Sequence, residues 1–172
     1  MNVVNYPRLL IAEDDLALAA LLEEYLAESG YEVLLCHRGD DAIKHLKREH
    51  FDLVLSDIVM PGADGLSLLA EVQNEPLKTL VILMTGYSGI EDAIHAVEKG
   101  AYDFVSKPFQ LPEIRVRIDN AARYQSLLRR WQAANGGAAV DLTENSYMPL
   151  QGNDGLMQPG QAAIRAYGMV KE

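Results

Sequence analysis

Between residues 8 and 125 the chain repeats one pattern: a short apolar run, an abrupt polar stop, then a segment with apolar residues at helical spacing. The first run is Leu9, Leu10, Ile11 and Ala12, closed by Glu13, Asp14 and Asp15. The helix predicted next carries Leu18, Leu22 and Leu26 on one face, with Leu21 and Tyr25 beside them. Asp15 is placed to cap its start and Gly30 to stop it. Glu32 to His37 reads as a second strand. Asp40 and Asp41 then open a helix with Ile43 and Leu46 inward and Lys44, Lys47 and Arg48 outward. Leu53, Val54 and Leu55 form a third strand that stops at Ser56 and Asp57, and Met60, Pro61, Gly62, Asp64 and Gly65 force a loop behind it. Leu66, Leu69 and Val72 mark a short third helix. Leu80 to Met84 is a fourth strand ending at Thr85-Gly86. A fourth helix over Ile90, Ala93, Ile94 and Val97 ends at Gly100. Tyr102 to Ser106 is a fifth strand stopped by Lys107-Pro108, and Leu111, Ile114, Ile118, Ala121 and Ala122 begin a long fifth helix.

Strand–helix pairs with such short connections imply a parallel sheet covered by helices on both faces. The near-continuous apolar strands agree, because a strand buried on both sides does not alternate. Right-handed crossovers leave few topologies. The expectation is an α/β, doubly wound, five-stranded sheet of flavodoxin-like order 2-1-3-4-5, with its switch point between strands one and three.

Composition narrows the function. A net charge of −10 counts against direct binding to nucleic acid, which calls for a basic surface. No apolar run approaches transmembrane length, and the N-terminus MNVVNYPRLL lacks a basic region followed by a long apolar stretch, so a cytoplasmic location and no membrane partner are expected. Cys36 is the only cysteine and reads as a small core residue. The four histidines, His37, His45, His50 and His95, are scattered and read as solvated surface.

The predicted topology gathers the chemically capable residues at the carboxyl ends of the strands. Glu13 and Asp14 end strand one, Asp57 ends strand three beside it, Thr85 ends strand four and Lys107 strand five. Each has an ordinary role when taken alone: a cap, a turn residue, a solvated charge. Together they converge on one rim. Three carboxylates at one point repel unless a proton or a cation neutralises them. Hard oxygen ligands without a dedicated cage suit Mg²⁺. A hydroxyl and an ammonium opposite suit phosphoryl oxygens, so the set can move phosphate onto a carboxylate.

These residues, with Met60-Pro61 and Asp64-Gly65 behind Asp57 and with Lys107-Pro108-Phe109, resemble in order and spacing the receiver domain of bacterial two-component response regulators, over roughly residues 7–125. The resemblance implies that Asp57 accepts a phosphoryl group from a sensor histidine kinase or a phosphotransfer protein. It implies Mg²⁺ bound by Asp14, Asp57 and the backbone carbonyl of Val59, with Glu13 acting through water. Thr85 and Lys107 would contact phosphoryl oxygens, and the Lys107-Pro108 bond would be cis. Phe104 matches the family's switch aromatic, which turns inward when Thr85 moves toward the phosphate. Val59 and Tyr87 occupy the two positions that tune how long the acyl phosphate lasts, and neither matches the polar or acidic side chains that help orient the hydrolytic water.

The expected organisation is a receiver over 1–125, an extension of the fifth helix over 126–137, and a mobile tail over 138–172. Tyr124, Leu127, Leu128 and Trp131 form an apolar stripe on the extension. In a short receiver it would face solvent, so it is expected to mediate a homodimer, contact another protein or fold back on the domain. Asn135-Gly136-Gly137 should break the helix, and Gln161 to Val170 has the pattern of a short one. The favoured reading is a stand-alone receiver that catalyses its own phosphorylation and slow dephosphorylation, and that signals to a downstream protein through helix four, strand five and helix five. The alternatives are the receiver portion of a larger transcription regulator, an interaction module that takes no phosphate, and a flavin-binding carrier. The last would need a Ser/Thr/Gly-rich phosphate loop where Glu13-Asp14-Asp15 stands.

Overall fold

The computed structural model describes residues 6–73 and 78–135, with the backbone but not the side chain of Tyr87. Strands β1 (Arg8–Ala12), β2 (Glu32–Cys36), β3 (Leu53–Asp57), β4 (Leu80–Thr85) and β5 (Asp103–Ser106) alternate with helices α1 (Leu16–Glu28), α2 (Gly39–Arg48), α3 (Gly65–Gln73), α4 (Ile90–Glu98) and α5 (Leu111–Ala134). All pairs are parallel and the sheet order is β2-β1-β3-β4-β5, as the sequence predicts.

The apolar strands split by parity into two cores. Leu10, Val54, Val81, Leu83 and Phe104 face α2, α3 and α4, where Ala42, Leu46, Leu68, Val72, Ala93 and Val97 cover them. Leu9, Ile11, Leu53, Leu55, Ile82, Met84 and Val105 face α1 and α5, against Leu22, Leu26, Ile114, Ile118 and Ala121. Side chains in a strand alternate between faces, so two covered faces require every strand position to be apolar. Asp15 caps α1, its Oδ1 accepting from the N–H groups of Ala17 and Leu18. Gly30 follows α1 at φ 100°, a left-handed position that excludes most other residues. Leu21, predicted beside the apolar face of α1, is exposed.

The second half of α5 folds back on the domain, one of the three outcomes expected for it. The stripe Tyr124, Leu127, Leu128 and Trp131 does not face solvent as a unit. Leu128 is buried, Tyr124 packs on the second core with its ring 5.4 Å from Tyr102, and Trp131 is half-buried; Leu127 alone is exposed. A polar residue inside the stripe explains the docking. Gln125 is buried, and its Nε2 donates to the carbonyls of Asp52 at 2.8 Å and Lys78 at 2.5 Å, just before β3 and β4. Those carbonyls lie at the amino edge of the sheet, where a buried acceptor needs a donor. Arg129 pairs with Asp52, whose Oδ2 also accepts from the Arg8 N–H at 2.8 Å. His50 stands 3.6 Å from Asp52 in the same cluster rather than alone in solvent. Helix α5 ends at Ala134 with Asn135 as C-cap. Gly136, Gly137, the tail over 138–172 and the helix expected over 161–170 lie outside the described residues. Among the described residues no helix is long and apolar enough to cross a membrane.

Candidate functional site

Short backbone bonds build the rim. The Glu13 N–H donates to Cys36 O at 3.0 Å, seating the residue after β1 between two strands. Ile58 donates to Met84 O at 2.9 Å and Gly65 to Ile58 O at 2.8 Å, closing the loop behind Asp57. A Cβ on Gly65 would lie 2.7 Å from Asp57 O, so only glycine lets α3 begin against the backbone of Asp57. Lys107 N–H donates to Thr85 O at 2.7 Å, tying the tip of β4 to the loop after β5, where the Lys107-Pro108 bond is cis.

Lys107 is the centre of charge. Its Nζ donates to Asp57 Oδ2 at 2.6 Å and to Glu13 Oε2 at 3.0 Å. The Glu13 side chain is buried, that of Asp57 nearly so, and Asp14 is exposed. Carboxylate oxygens of Glu13, Asp14 and Asp57 lie within 4.8 Å of one another. Burial pushes the Glu13 carboxyl above the usual carboxylate range, against the opposing pull of Lys107. Burial also draws the Lys107 ammonium down, but its bonds to Asp57 and Glu13 outweigh this and leave it raised. One ammonium against three carboxylates leaves the cluster with surplus negative charge and free oxygen lone pairs, which suits a hard divalent cation. The Val59 N–H donates to Asp57 Oδ1 at 3.2 Å, and the Val59 side chain is exposed.

Thr85 and Phe104 complete the set. The Thr85 hydroxyl is buried and donates to Gly86 O at 3.0 Å, within its own loop. Phe104 is already inward, packed in the first core. The resemblance couples an inward aromatic to a threonine turned toward phosphate, and that pairing is not what stands here. The reason is chemical: a phenyl ring has no hydroxyl to keep in water, so burial favours it outright.

Those distances bring together Glu13, Asp14, Asp57 and Lys107, which the sequence places 94 residues apart at the extremes. The match to known proteins decides the family: residues 9–119 fit the response regulator receiver domain. The chain belongs to that family. It is 37% identical over 134 residues to the transcriptional regulatory protein DltR of Streptococcus agalactiae, covering 78% of this chain and 60% of that protein. It is 40% identical over 124 residues to the transcriptional activator protein PfeR of Pseudomonas aeruginosa, covering 72% of this chain and 38% of that one. A crystal structure of a response regulator receiver domain protein from Clostridium thermocellum superposes with a TM-score of 0.66 at 26% identity, covering 71% of this chain and 98% of the other. The chain thus spans less than two thirds of the curated relatives it matches.

Two features of this receiver escaped the sequence reading. Asp103 is fully buried on β5, where Arg117 of α5 pairs with it at 2.7 Å and the Phe104 N–H donates to it at 2.8 Å. A charge inside an apolar strand run was the available signal. Gly39 is the other. Its N–H donates to Pro61 O at 2.9 Å, and a Cβ there would overlap the Ala63 carbonyl, so α2 begins in contact with the loop behind Asp57. Nothing in the local sequence marks that approach.

Proposed function

We propose that this receiver accepts a phosphoryl group on Asp57 from the phosphohistidine of a sensor histidine kinase or phosphotransfer protein, in a Mg²⁺-dependent reaction, and signals to a downstream protein through α4, β5 and α5. The observation that carries the reading is the contact of Lys107 Nζ with both Asp57 and Glu13, beside the grouped oxygens of Asp14. Asp14, Asp57 and the Val59 carbonyl would hold the ion, with Glu13 acting through water; when bound it would screen the carboxylates from an incoming phosphoryl group. An Asp57 carboxylate oxygen attacks phosphorus in line. The new P–O bond forms as the P–N bond to the donor imidazole breaks, and the imidazole departs with its electron pair and takes a proton. Lys107 needs only a small swing to move from the resting carboxylate to a phosphoryl oxygen. Thr85 supplies a hydroxyl donor once it leaves Gly86.

The test is intact mass after incubation with acetyl phosphate. Wild type with Mg²⁺ gains one phosphoryl group; Asp57→Asn, and wild type in chelator, gain none. Equal labelling of Asp57→Asn refutes the assignment. A second reading, the receiver portion of a larger transcription regulator, is favoured by the relatives, which are named as transcriptional regulators and extend beyond the matched span.

A further inference from the structure

Gly89 has no backbone reason to be glycine. Its φ of −100° and ψ of 6° suit any residue, and it lies where the 3-10 turn Tyr87–Gly89 gives way to α4. What singles it out is a neighbour. A Cβ built there would overlap Thr85 Oγ1, with Thr85 Cβ 3.5 Å away. Gly86, three residues earlier, is the contrast: a Cβ there meets nothing within 4 Å. One carbonyl holds the arrangement, since Gly86 O accepts from both the Thr85 hydroxyl and the Gly89 N–H, each at 3.0 Å. The Thr85 hydroxyl therefore rests in a space that exists because residue 89 lacks a side chain.

Threonine is stiff about χ1, and its staggered rotamers place Oγ1, Cγ2 or the Cβ hydrogen in any one direction. A methyl group on residue 89 excludes both heavy atoms and leaves the rotamer that points the hydrogen there. That rotamer gives up the bond to Gly86. We propose that Gly89 is a positioning residue for Thr85: by having no Cβ it lets the hydroxyl stay turned to Gly86 in the unphosphorylated protein, and so sets how readily that hydroxyl is released to a phosphoryl group on Asp57. This rests on the phosphoacceptor reading above.

The experiment compares affinity for beryllofluoride, a phosphoryl mimic, in Mg²⁺ buffer, with Mg²⁺ affinity measured alongside by calorimetry. Gly89→Ala binds the mimic about tenfold tighter, equivalent to about 1.4 kcal/mol, with Mg²⁺ affinity unchanged. Gly86→Ala, which adds the same methyl to the same loop, matches wild type. In a Thr85→Ala background Gly89→Ala changes nothing, because the group it displaces is gone. Equal or weaker binding by Gly89→Ala, or the same gain without the Thr85 hydroxyl, overturns the proposal. If Gly89→Ala fails to fold, the pair Gly89→Ala with Thr85→Ser decides: serine has no Cγ2 and evades the methyl in two rotamers, so a double variant that also fails overturns it. Wild type that takes no beryllofluoride in Mg²⁺ overturns the phosphoacceptor reading itself.

Discussion

Replacing Lys107 with alanine should tighten Mg²⁺ binding. The ammonium lies 2.6 Å from Asp57 Oδ2 and 3.0 Å from Glu13 Oε2, so in the resting protein it occupies the charge that a metal would use. A divalent ion held by the remaining oxygens would feel this charge, at a separation taken as about 5 Å. Charges of +2 and +1 at that separation repel by about 1.7 kcal/mol at a water-like dielectric. A Debye length of about 10 Å at 0.1 M salt reduces this to about 1 kcal/mol, or about fivefold in affinity. Lys107 is only partly exposed, between a buried Glu13 and a nearly buried Asp57, so the water-like value is the lower bound on the repulsion. The assay is calorimetric titration with MgCl₂ at pH 8 and fixed ionic strength, repeated at lower salt, where the difference between wild type and variant should widen. The variant should also lose the changes that phosphorylation induces at α4, β5 and α5, because no cation remains to pair with the phosphoryl charge. A tenfold loss of Mg²⁺ affinity in Lys107→Ala, or a difference that ignores salt, refutes the reasoning.

Val59 offers no hydrogen bond to a water approaching Asp57, and Tyr87 offers bulk, so the acyl phosphate should be long-lived. Val59→Asn with Tyr87→Glu should hasten its loss about 10- to 100-fold, matching about 1.4 to 2.7 kcal/mol of barrier, when label is followed after donor removal; an unchanged rate counts against water positioning. Gln125→Leu takes the side-chain donor from the Lys78 carbonyl and leaves the Asp52 carbonyl with the Leu80 N–H alone. Urea unfolding should show a loss of about 2 kcal/mol, and a loss below 0.5 kcal/mol, on the order of an ordinary surface change, would mean that the clamp is idle. Burial holds the Asp103 carboxyl above its usual value despite Arg117. The folded protein therefore keeps that proton to higher pH than the unfolded chain, and its stability declines as pH rises from about 4 through the raised value. Asp103→Asn should flatten that part of a stability–pH curve; an unchanged slope would assign the decline to other groups.

The strands, the helices and the residues gathered on the rim were legible in the sequence because each strand announces its own end. Apolar runs stop at Glu13, Asp57, Thr85 and Lys107, and a parallel sheet brings all its carboxyl ends to one edge, so knowing the ends amounts to knowing the rim. What side chains do on that rim was decided elsewhere. Lys107 reaches Glu13 across 94 residues of chain, and nothing local says that it rests on both carboxylates. Phe104 lies inward because the first core has room for it, and Thr85 turns to Gly86 because Gly89 leaves space. The α5 stripe shows the limit most plainly. Helical spacing groups Tyr124, Leu127, Leu128 and Trp131, but it does not say which of them meet protein and which meet water. That was settled by Gln125 finding two carbonyls at the amino edge of the sheet, contacts 73 and 47 residues away in sequence. Periodicity reports what a segment can bury; only packing against distant segments determines what it does bury.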